Sequence, residues 1–253
     1  MHSSFLGYAR RSLTLCPIIG IIGCLEVAKA LSKYEVNNAV RFGFWSAEEF
    51  GLLGSYAYLR SINDSTAEVE KLRAYLNFDM IASPNYIYGI YDGDGSAFNL
   101  SGPPGSAEIE QTFQDFFASN DEPFVETEFS GRSDYAAFLE NGVPSGGLFT
   151  GAEEIKTEEE AELFGGEAGV AYDENYHEAG DNYDNLNQEA FLLNTKAIAD
   201  SVAKYALSFD SLPAMSSILR RDLAARARLM ARYKKHTHAG HHSAPCGQAA
   251  ETS

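Results

Sequence analysis

The feature that most constrains the fold is an alternation of short apolar strand patterns with longer amphipathic helix patterns. The strand patterns cover residues 39–45, 74–78, 124–129 and 143–149. The helix patterns cover 25–34, 49–60, a segment after Pro103-Pro104 that runs through Phe117, a segment from Ser133 to Asn141-Gly142, and 191–209. Strands that alternate with helices predict an α/β three-layer sandwich with a mostly parallel central sheet flanked by helices.

Three parts of the chain differ in composition. Residues 1–24 are left unassigned, because the basic and apolar run before residue 25 fits either a signal peptide or the approach to a folded helix. Residues 25–210 carry the α/β pattern and form the predicted domain. Residues 211–253 combine a basic amphipathic stripe, which predicts a helix, with a His-rich end that is expected to be disordered.

The charge distribution narrows the range of partners. Residues 1–210 contain 12 Lys+Arg and 34 Asp+Glu, a net charge of −22 within a total of −17. An acidic body of this size repels phosphate, so nucleic acid is excluded as the main partner. The apolar run 13–24 is too short to span a bilayer, so no stable membrane insertion is expected.

Acidic and imidazole side chains follow the predicted strands. Glu48 and Glu49 come after the strand 39–45, Asp79 ends the strand 74–78, and His177 lies in a polar loop before the long helix. Catalytic groups in open α/β sheets gather beyond the carboxyl ends of the strands. Each residue also has an ordinary explanation, since an acidic pair suits a helix start and Asp suits a turn. Their shared position is what favours a site.

Three segments carry a resemblance to a known family. They are Trp45-Ser46-Ala47-Glu48-Glu49-Phe50-Gly51-Leu52-Leu53-Gly54-Ser55, Leu76-Asn77-Phe78-Asp79-Met80-Ile81 and Tyr176-His177-Glu178-Ala179-Gly180-Asp181. In sequence and in order they resemble the co-catalytic zinc aminopeptidases, which include fungal leucine aminopeptidases, vacuolar aminopeptidase Y and bacterial secreted aminopeptidases. The resemblance covers residues 25–210 and implies a zinc exopeptidase-like fold.

The resemblance also implies a role for each matching residue. Glu48 corresponds to the general base that takes a proton from the metal-bridging water. Glu49 and His177 correspond to ligands of one zinc, and Asp79 to a ligand of the other. Tyr176 corresponds to the hydrogen-bond donor that stabilises the oxyanion. Paired zinc ions activate water, a carboxylate moves the proton and a phenol stabilises the developing charge.

Further implications concern the substrate and the location of the protein. The free α-amino group of a peptide would lie near the zinc held by Asp79, and the released residue would be apolar. Asp181, four residues beyond His177, is a candidate hydrogen-bond partner for the imidazole. The family members point to a secreted, extracellular or vacuolar protein.

The sequence departs from the family pattern upstream of the helix 25–34. There the family has a His-x-Asp segment and a Gly-rich loop that supply a zinc-binding His and the Asp that bridges both metals, together with one or two strands. Here His2 is the only histidine before His177, and the first acidic residue is Glu26. Catalytic zinc usually has three protein ligands. We therefore expect an incomplete sheet, at most one weakly bound zinc instead of two, and little or no peptidase activity.

Two other functions compete with the aminopeptidase. A non-catalytic binding module that keeps the fold without the metals stays open as the alternative. A glycosidase is excluded, because its two carboxylates must flank the bond from opposite sides, which the neighbours Glu48 and Glu49 do not do.

Overall fold

A computed structural model describes residues 16–62 and 66–214 of the chain. Its helices are α1 (Cys16–Leu31), α2 (Leu53–Ile62), α3 (Thr66–Val69), α4 (Ser106–Ser119), α5 (Tyr135–Glu140), α6 (Glu158–Phe164) and α7 (Gln188–Leu207). Its strands are β1 (Tyr75–Phe78), β2 (Gly89–Tyr91), β3 (Val125–Thr127) and β4 (Ser145–Phe149). Two short 3₁₀ turns cover Glu48–Phe50 and Tyr183–Asn185.

The four strands form one mixed sheet in the order β1-β4-β2-β3. β1 runs parallel to β4 and β2 runs parallel to β3, whereas β2 and β4 are antiparallel. Helices cover both faces. The predicted α/β architecture with a mostly parallel sheet is confirmed, and β1 lies at an edge of the sheet.

The main core lies between the sheet and the layer that holds α1, α4 and α7. On α4, Ile109, Phe113 and Phe117 are all fully buried at a spacing of four residues, which explains why this segment forms a helix. Burying such a side chain contributes roughly 1.5–3 kcal/mol. α2 and α5 cover the opposite face, where Phe138 stacks on Tyr75.

Most predicted elements are present, with ends within three residues of those expected. β1, β3 and β4 fall inside the predicted strands, and α4, α5 and α7 match predicted helices. Asn187 begins α7, where its side chain accepts hydrogen bonds from the N–H groups of Glu189 and Ala190. No described helix is both long enough and apolar enough to cross a membrane.

The predicted strand 39–45 is wrong. Among the described residues this segment has no strand beside it, and it belongs to no sheet despite its alternating apolar residues. The residues just before it are anchored to α7: the main-chain N–H groups of Asn37 and Asn38 donate to the Ala206 carbonyl at 3.0 and 2.9 Å. A strand needs a neighbour for its main-chain groups, and side-chain alternation does not supply one.

Two helices have other boundaries than expected, one strand was missed, and one charged run contains a helix. The predicted helix 49–60 is preceded by the 3₁₀ turn and begins only at Leu53. The helix expected over 25–34 starts at Cys16 and ends at Leu31, so it crosses the predicted boundary at residue 24. β2 was missed, because all three of its residues are buried and show no alternation. The Glu-rich run 153–162, predicted as a solvated excursion, contributes to α6 through a capping box at Thr157.

The helix expected over 219–233 and the His-rich end lie outside the described residues.

Candidate metal centre

A tight turn presents Glu48 and Glu49 to the site. It is bounded by Ala47 (φ 57°) and Gly51 (φ 95°), both in the left-handed region. The N–H groups of Gly51 and Leu52 both donate to the Glu48 carbonyl, at 3.0 and 2.8 Å. Successive side chains on so short a turn diverge. Glu49 contacts His177, whereas Glu48 lines the cavity beside β1.

Asp79 follows the last residue of β1, and a chain of hydrogen bonds fixes its carboxylate. Ser133 Oγ donates to Asp79 Oδ2 at 2.8 Å, and Asn77 Nδ2 donates to Ser133 Oγ at 3.0 Å. Tyr75 Oη donates to Asn77 Oδ1 at 3.1 Å, and Trp45 Nε1 donates to Tyr75 Oη at 3.1 Å. These hydrogen bonds connect Trp45, which precedes the Glu48 turn, to Asp79 at the end of β1. The Glu48 turn and Asp79 are therefore held by one hydrogen-bond network.

His177 and Tyr176 reach the site from the loop before α7. His177 Nε2 lies 2.8 Å from Glu49 Oε1, and the His177 backbone takes φ 60°. The Tyr176 ring stacks on the imidazole with 3.9 Å between centroids, and it packs against the buried pair Met80 and Ala152. The loop is therefore held on both sides, by Glu49 and by an apolar cluster.

Asp134 adds a carboxylate that the sequence analysis did not assign to the site. It is 8% exposed and shares the cavity wall with Glu48, Asp79 and Ser133. Its Oδ1 is buried and makes no hydrogen bond to the described residues. A buried carboxylate oxygen without a donor is costly unless a cation or another partner is nearby.

Burial, reinforced by neighbouring carboxylates, raises two pKa values at the centre. Burial, followed by repulsion from Asp79, Glu49 and Asp134, raises the pKa of Glu48 to about 9. Burial also raises the pKa of Asp79, against the hydrogen bond from Ser133. A dication at this place would favour the charged form of both groups and reverse the shifts. The crowding thus favours binding of a cation.

The pKa values of His177 and Tyr176 are also raised. The hydrogen bond to Glu49 is the main cause for His177, and burial opposes it. Burial and the charge of Glu49 raise the pKa of Tyr176 well above its usual range, so the phenol keeps its proton and remains a donor at neutral pH. A donor at this position suits stabilisation of a developing oxyanion.

Arg132 is the cation beside these groups. Its guanidinium contacts Glu153 at 2.7 Å and Glu154 at 3.2 Å, with about half of each side chain exposed. Its charge opposes the raised pKa values of Glu48 and Asp79. The ion pairs link the segment before α5 to the loop after β4.

The side chains at the centre are of types that bind zinc, but they are too few for a complete zinc site. In the arrangement that the resemblance implies, Glu49 and His177, which are 2.8 Å apart, would supply an oxygen and a nitrogen to one zinc, and Asp79 would supply an oxygen to another. Ser55 is a side-chain hydrogen-bond partner of the Asp134 carboxyl, and one Asp134 oxygen, Oδ1, remains without a partner among the described residues. Three protein ligands are usual for catalytic zinc, so the described residues complete neither position.

A different acidic cluster lies elsewhere in the described residues. Asp92, Glu110 and Glu126 place ligand oxygens within 4.8 Å of one another. The first two already accept main-chain hydrogen bonds, Asp92 from four N–H groups of residues 95–98 and Glu110 from Gly93 and Asp94. These hydrogen bonds order the loop after β2, and this role explains why the carboxylates lie together.

The structure thus brings Glu48, Glu49, Asp79, Tyr176 and His177 into one neighbourhood, and their individual roles stay predictions. Asp181 is buried, and its proposed contact with the imidazole also stays a prediction. Reasoning from sequence missed Asn77, Arg132 and Asp134, and placed Ser133 only at the start of a predicted helix. The sequence could have indicated Asn77, because residues two apart on a strand lie on the same face, and Asn77 is two residues before Asp79.

Comparisons with known proteins identify the family. The family model of Peptidase family M28 matches residues 19–202. A probable leucine aminopeptidase 2 of Aspergillus fumigatus is 60% identical over 223 residues, which are 87% of this chain and 44% of that protein. A leucine aminopeptidase 2 of Arthroderma otae is 56% identical over 83% of this chain and 42% of its own length. The chain therefore spans less than half the length of the curated relatives it matches.

Solved structures show the same fold. A zinc aminopeptidase from Bacillus subtilis superposes with a TM-score of 0.59 at 20% identity, over 79% of this chain and 43% of that one. An aminopeptidase from an Aneurinibacillus strain gives a TM-score of 0.55 over 74% of this chain and 38% of that one. At these identities the likeness shows the fold, and the family follows from the match over 19–202. This chain belongs to Peptidase family M28.

Proposed function

We propose that this site performs metal-dependent aminopeptidase chemistry, the release of an N-terminal and preferably apolar residue from a peptide. The observation that carries the proposal is the convergence of Glu48 with Asp79 and the Glu49–His177 pair at the carboxyl end of β1. The names of the relatives, leucine aminopeptidases among them, support the same reaction class.

Each residue has a distinct task under this proposal. Glu49 and His177 would hold one zinc and Asp79 a second, and bound zinc supplies an acidified water and a polarised carbonyl. Glu48 accepts the proton of the attacking water and returns it to the leaving amine. Tyr176 donates its phenolic hydrogen to the oxyanion. The acidic surroundings favour the α-ammonium group of a peptide N-terminus.

The shortage of ligands sets the expected level of activity. With two ligands at one position and one at the other, we propose that this chain binds at most one zinc, weakly, and turns over slowly if at all. Two tightly bound zinc ions per chain, measured by elemental analysis after gel filtration, would contradict this part of the proposal.

The reaction class is tested with leucine p-nitroanilide and its N-acetyl analogue in the presence of added zinc. We expect slow release from the free amine, none from the acetylated compound, and a loss of roughly 10²–10⁴-fold in Glu48→Gln, because the general base is removed. Equal release from both compounds, or an unaffected Glu48→Gln variant, would refute the aminopeptidase assignment. No release above buffer would favour the alternative of a non-catalytic binding module.

A further inference from the structure

Three carboxyl groups meet beneath the loop that follows β2. Asp92 directly follows β2, Glu110 is on α4 and Glu126 is on β3, and their carboxyl oxygens lie within 4.8 Å of one another. Asp92 and Glu110 are buried, at 0% and 2% exposure, whereas Glu126 is partly buried. Among the described residues, none of the three forms an ion pair. The cluster therefore has no cation from the described chain to balance its charge.

The 93–99 loop covers the two buried carboxyls and is attached to them by its main chain. The N–H groups of residues 93–94 donate to Glu110 Oε2 at 2.9 and 3.0 Å. The N–H groups of residues 95–98 donate to the two oxygens of Asp92 at 2.7–3.1 Å. Most of the loop is itself exposed. Hydration of either buried carboxyl therefore requires this loop to move.

The hydrogen bonds leave a place for one proton on Glu110. Its Oε2 accepts both main-chain bonds, so a proton is best carried on Oε1. Oε1 lies 2.9 Å from the side-chain nitrogen of Gln114, whose amide offers a donor nitrogen and an acceptor oxygen. The amide can donate to an ionised Glu110 or, after rotation, accept from a protonated one. On Asp92, by contrast, each oxygen already accepts two N–H groups.

The surroundings of the cluster favour retention of that proton. Burial is the main cause that raises the pKa of Glu110 to about 7, and the charges of Asp94 and Asp92 add to it against the main-chain hydrogen bonds. Burial and the charge of Asp92 also raise the pKa of Glu126, against the hydrogen bond from Ser96. Carboxyls that interact in this way titrate as a group. Near pH 6 the cluster therefore holds a proton that separate, hydrated carboxyls have lost.

Among the described residues, the elements around Glu110 bring no cation to the cluster. α7 packs on α4, but its Lys204 Nζ binds Thr112 at 2.9 Å, two residues along the helix from Glu110 and so on another side. β4 carries no charged residue. The other ionisable groups of the neighbouring elements are Asp94 of the loop, Tyr91 of β2, Glu108 of α4, Glu128 beyond β3 and Tyr205 of α7.

We propose that Asp92, Glu110 and Glu126 form a proton-operated clasp, which holds the 93–99 loop closed while the three carboxyls share a proton and releases it as that proton is lost. Loss of the proton leaves three negative charges within 4.8 Å, and buried like charges are stabilised by hydration. Because the loop covers both buried carboxyls, their hydration opens the loop and breaks its hydrogen bonds to them. The clasp does not depend on the proposed aminopeptidase activity.

The loop is connected by packing to the candidate metal centre. Leu100, the residue after the loop, is 7% exposed and belongs to one apolar cluster with Tyr135 and Leu52. The Leu52 N–H donates to the Glu48 carbonyl at 2.8 Å. Opening of the loop at higher pH therefore loosens an apolar cluster that also supports the Glu48 turn.

The test is hydrogen exchange of the full chain in EDTA from pH 5 to pH 9, with each rate divided by that of an unstructured peptide at the same pH. The segment 93–99 reports the loop, and Ile198, fully buried on α7, reports unfolding of the whole protein. Opening releases a proton between pH 4.5, the usual pKa of Glu, and about 7, the raised pKa of Glu110. We expect loop protection to fall roughly 50-fold from pH 5 to pH 8, to level off above pH 8, and to stay below that of Ile198 throughout.

Three variants assign the proton to the cluster. Glu110→Gln keeps an acceptor for the loop and cannot ionise, so its loop protection at pH 8 should match that at pH 5. A merely structural role would instead lower protection equally at every pH. Glu108→Gln, on the same helix, is the matched control and should keep the full fall. Glu126→Gln removes one charge from the partly buried member and should reduce the fall, which keeps the test decisive if Glu110→Gln does not fold.

Three results would overturn the clasp. The first is loop protection that is the same at pH 5 and pH 8 in the unmodified protein. The second is an undiminished fall in Glu110→Gln, or in Glu126→Gln where only that variant folds. The third is equal protection of the loop and Ile198 at every pH, which would show that the loop opens only when the whole protein unfolds.

Discussion

Among individual residues, Asp79 has a carboxylate whose orientation is fixed by a network of hydrogen bonds. It stands at the end of β1, and its Oδ2 accepts from Ser133 at 2.8 Å. Ser133 in turn accepts from the buried Asn77, so one hydroxyl satisfies two neighbours. A side chain that orients a ligand in this way matters for metal binding as much as for folding.

Ser133→Ala is therefore expected to have two effects. It removes the donor to Asp79 and leaves the Asn77 amide without its acceptor, which costs on the order of 1–3 kcal/mol of unfolding free energy. It should also weaken zinc binding by about 10–100-fold, because Asp79 is no longer fixed. Urea unfolding and a zinc titration with a competing chelator measure the two quantities.

Ser201→Ala is the matched control, since Ser201 is buried at 1% exposure on α7 and donates within its own helix. It should cost less stability and leave zinc affinity unchanged. Equal zinc affinity in Ser133→Ala and the unmodified protein would show that the Ser133 hydroxyl has only a structural role.

Among the secondary-structure elements, the 3₁₀ turn at Glu48–Phe50 decides where two carboxylates point. Gly51 ends it at φ 95°, and a Cβ there would meet no atom within 4 Å. Any effect of adding a methyl group therefore comes from the backbone and not from a clash.

We expect Gly51→Ala to destabilise the fold by about 1 kcal/mol, the usual cost of a left-handed conformation for a residue with a Cβ. Zinc affinity should fall as well, because relief of the strain rotates Glu48 and Glu49. Gly169→Ala is the control, with φ 80° and no neighbour within 4 Å. It should cost a similar amount of stability and leave zinc affinity intact, and a matching loss of zinc in both variants would contradict the assignment.

For the whole molecule, the excess of acidic residues makes stability depend on pH. Burial raises the pKa of Glu110 from 4.5 to about 7, that of Asp134 to about 6 and that of Glu48 to about 9. At a pH between its unfolded and its folded pKa, each of these carboxyls therefore holds a proton in the folded protein that the unfolded chain has released. The stability that these groups contribute is present below their unfolded pKa and is lost as the pH rises through the folded pKa.

The metal-free protein should accordingly be more stable at pH 5 than at pH 8, by on the order of 2 kcal/mol for Glu110 alone. Glu110→Gln cannot titrate and should remove that part of the slope, whereas Glu108→Gln on the same helix should keep it. Urea unfolding at a series of pH values gives the slope directly. A stability that rises from pH 5 to pH 8 would show that the buried carboxyls are ionised in the folded state.

Much of the fold followed from local patterns. The apolar run that ends at Asp79 was sufficient to predict β1, and the four-residue spacing of apolar residues was sufficient to predict α4, because a short segment carries these patterns by itself. β2 gave no such signal, since its three residues are buried on both faces. The segment 39–45 shows the side-chain alternation of a strand, but it is not a strand, because no described strand pairs with its main chain.

For the site, the sequence by itself determined which side chains are available for chemistry and that Glu48, Glu49 and Asp79 follow apolar segments. Only the tertiary structure decided that His177, 128 residues after Glu49, lies 2.8 Å from its carboxylate. It also decided that Ser133 and Asp134 reach the cavity beside Asp79 and that β1 has an open edge. Contacts between segments far apart in the chain depend on how the layers pack, and no local pattern carries that information.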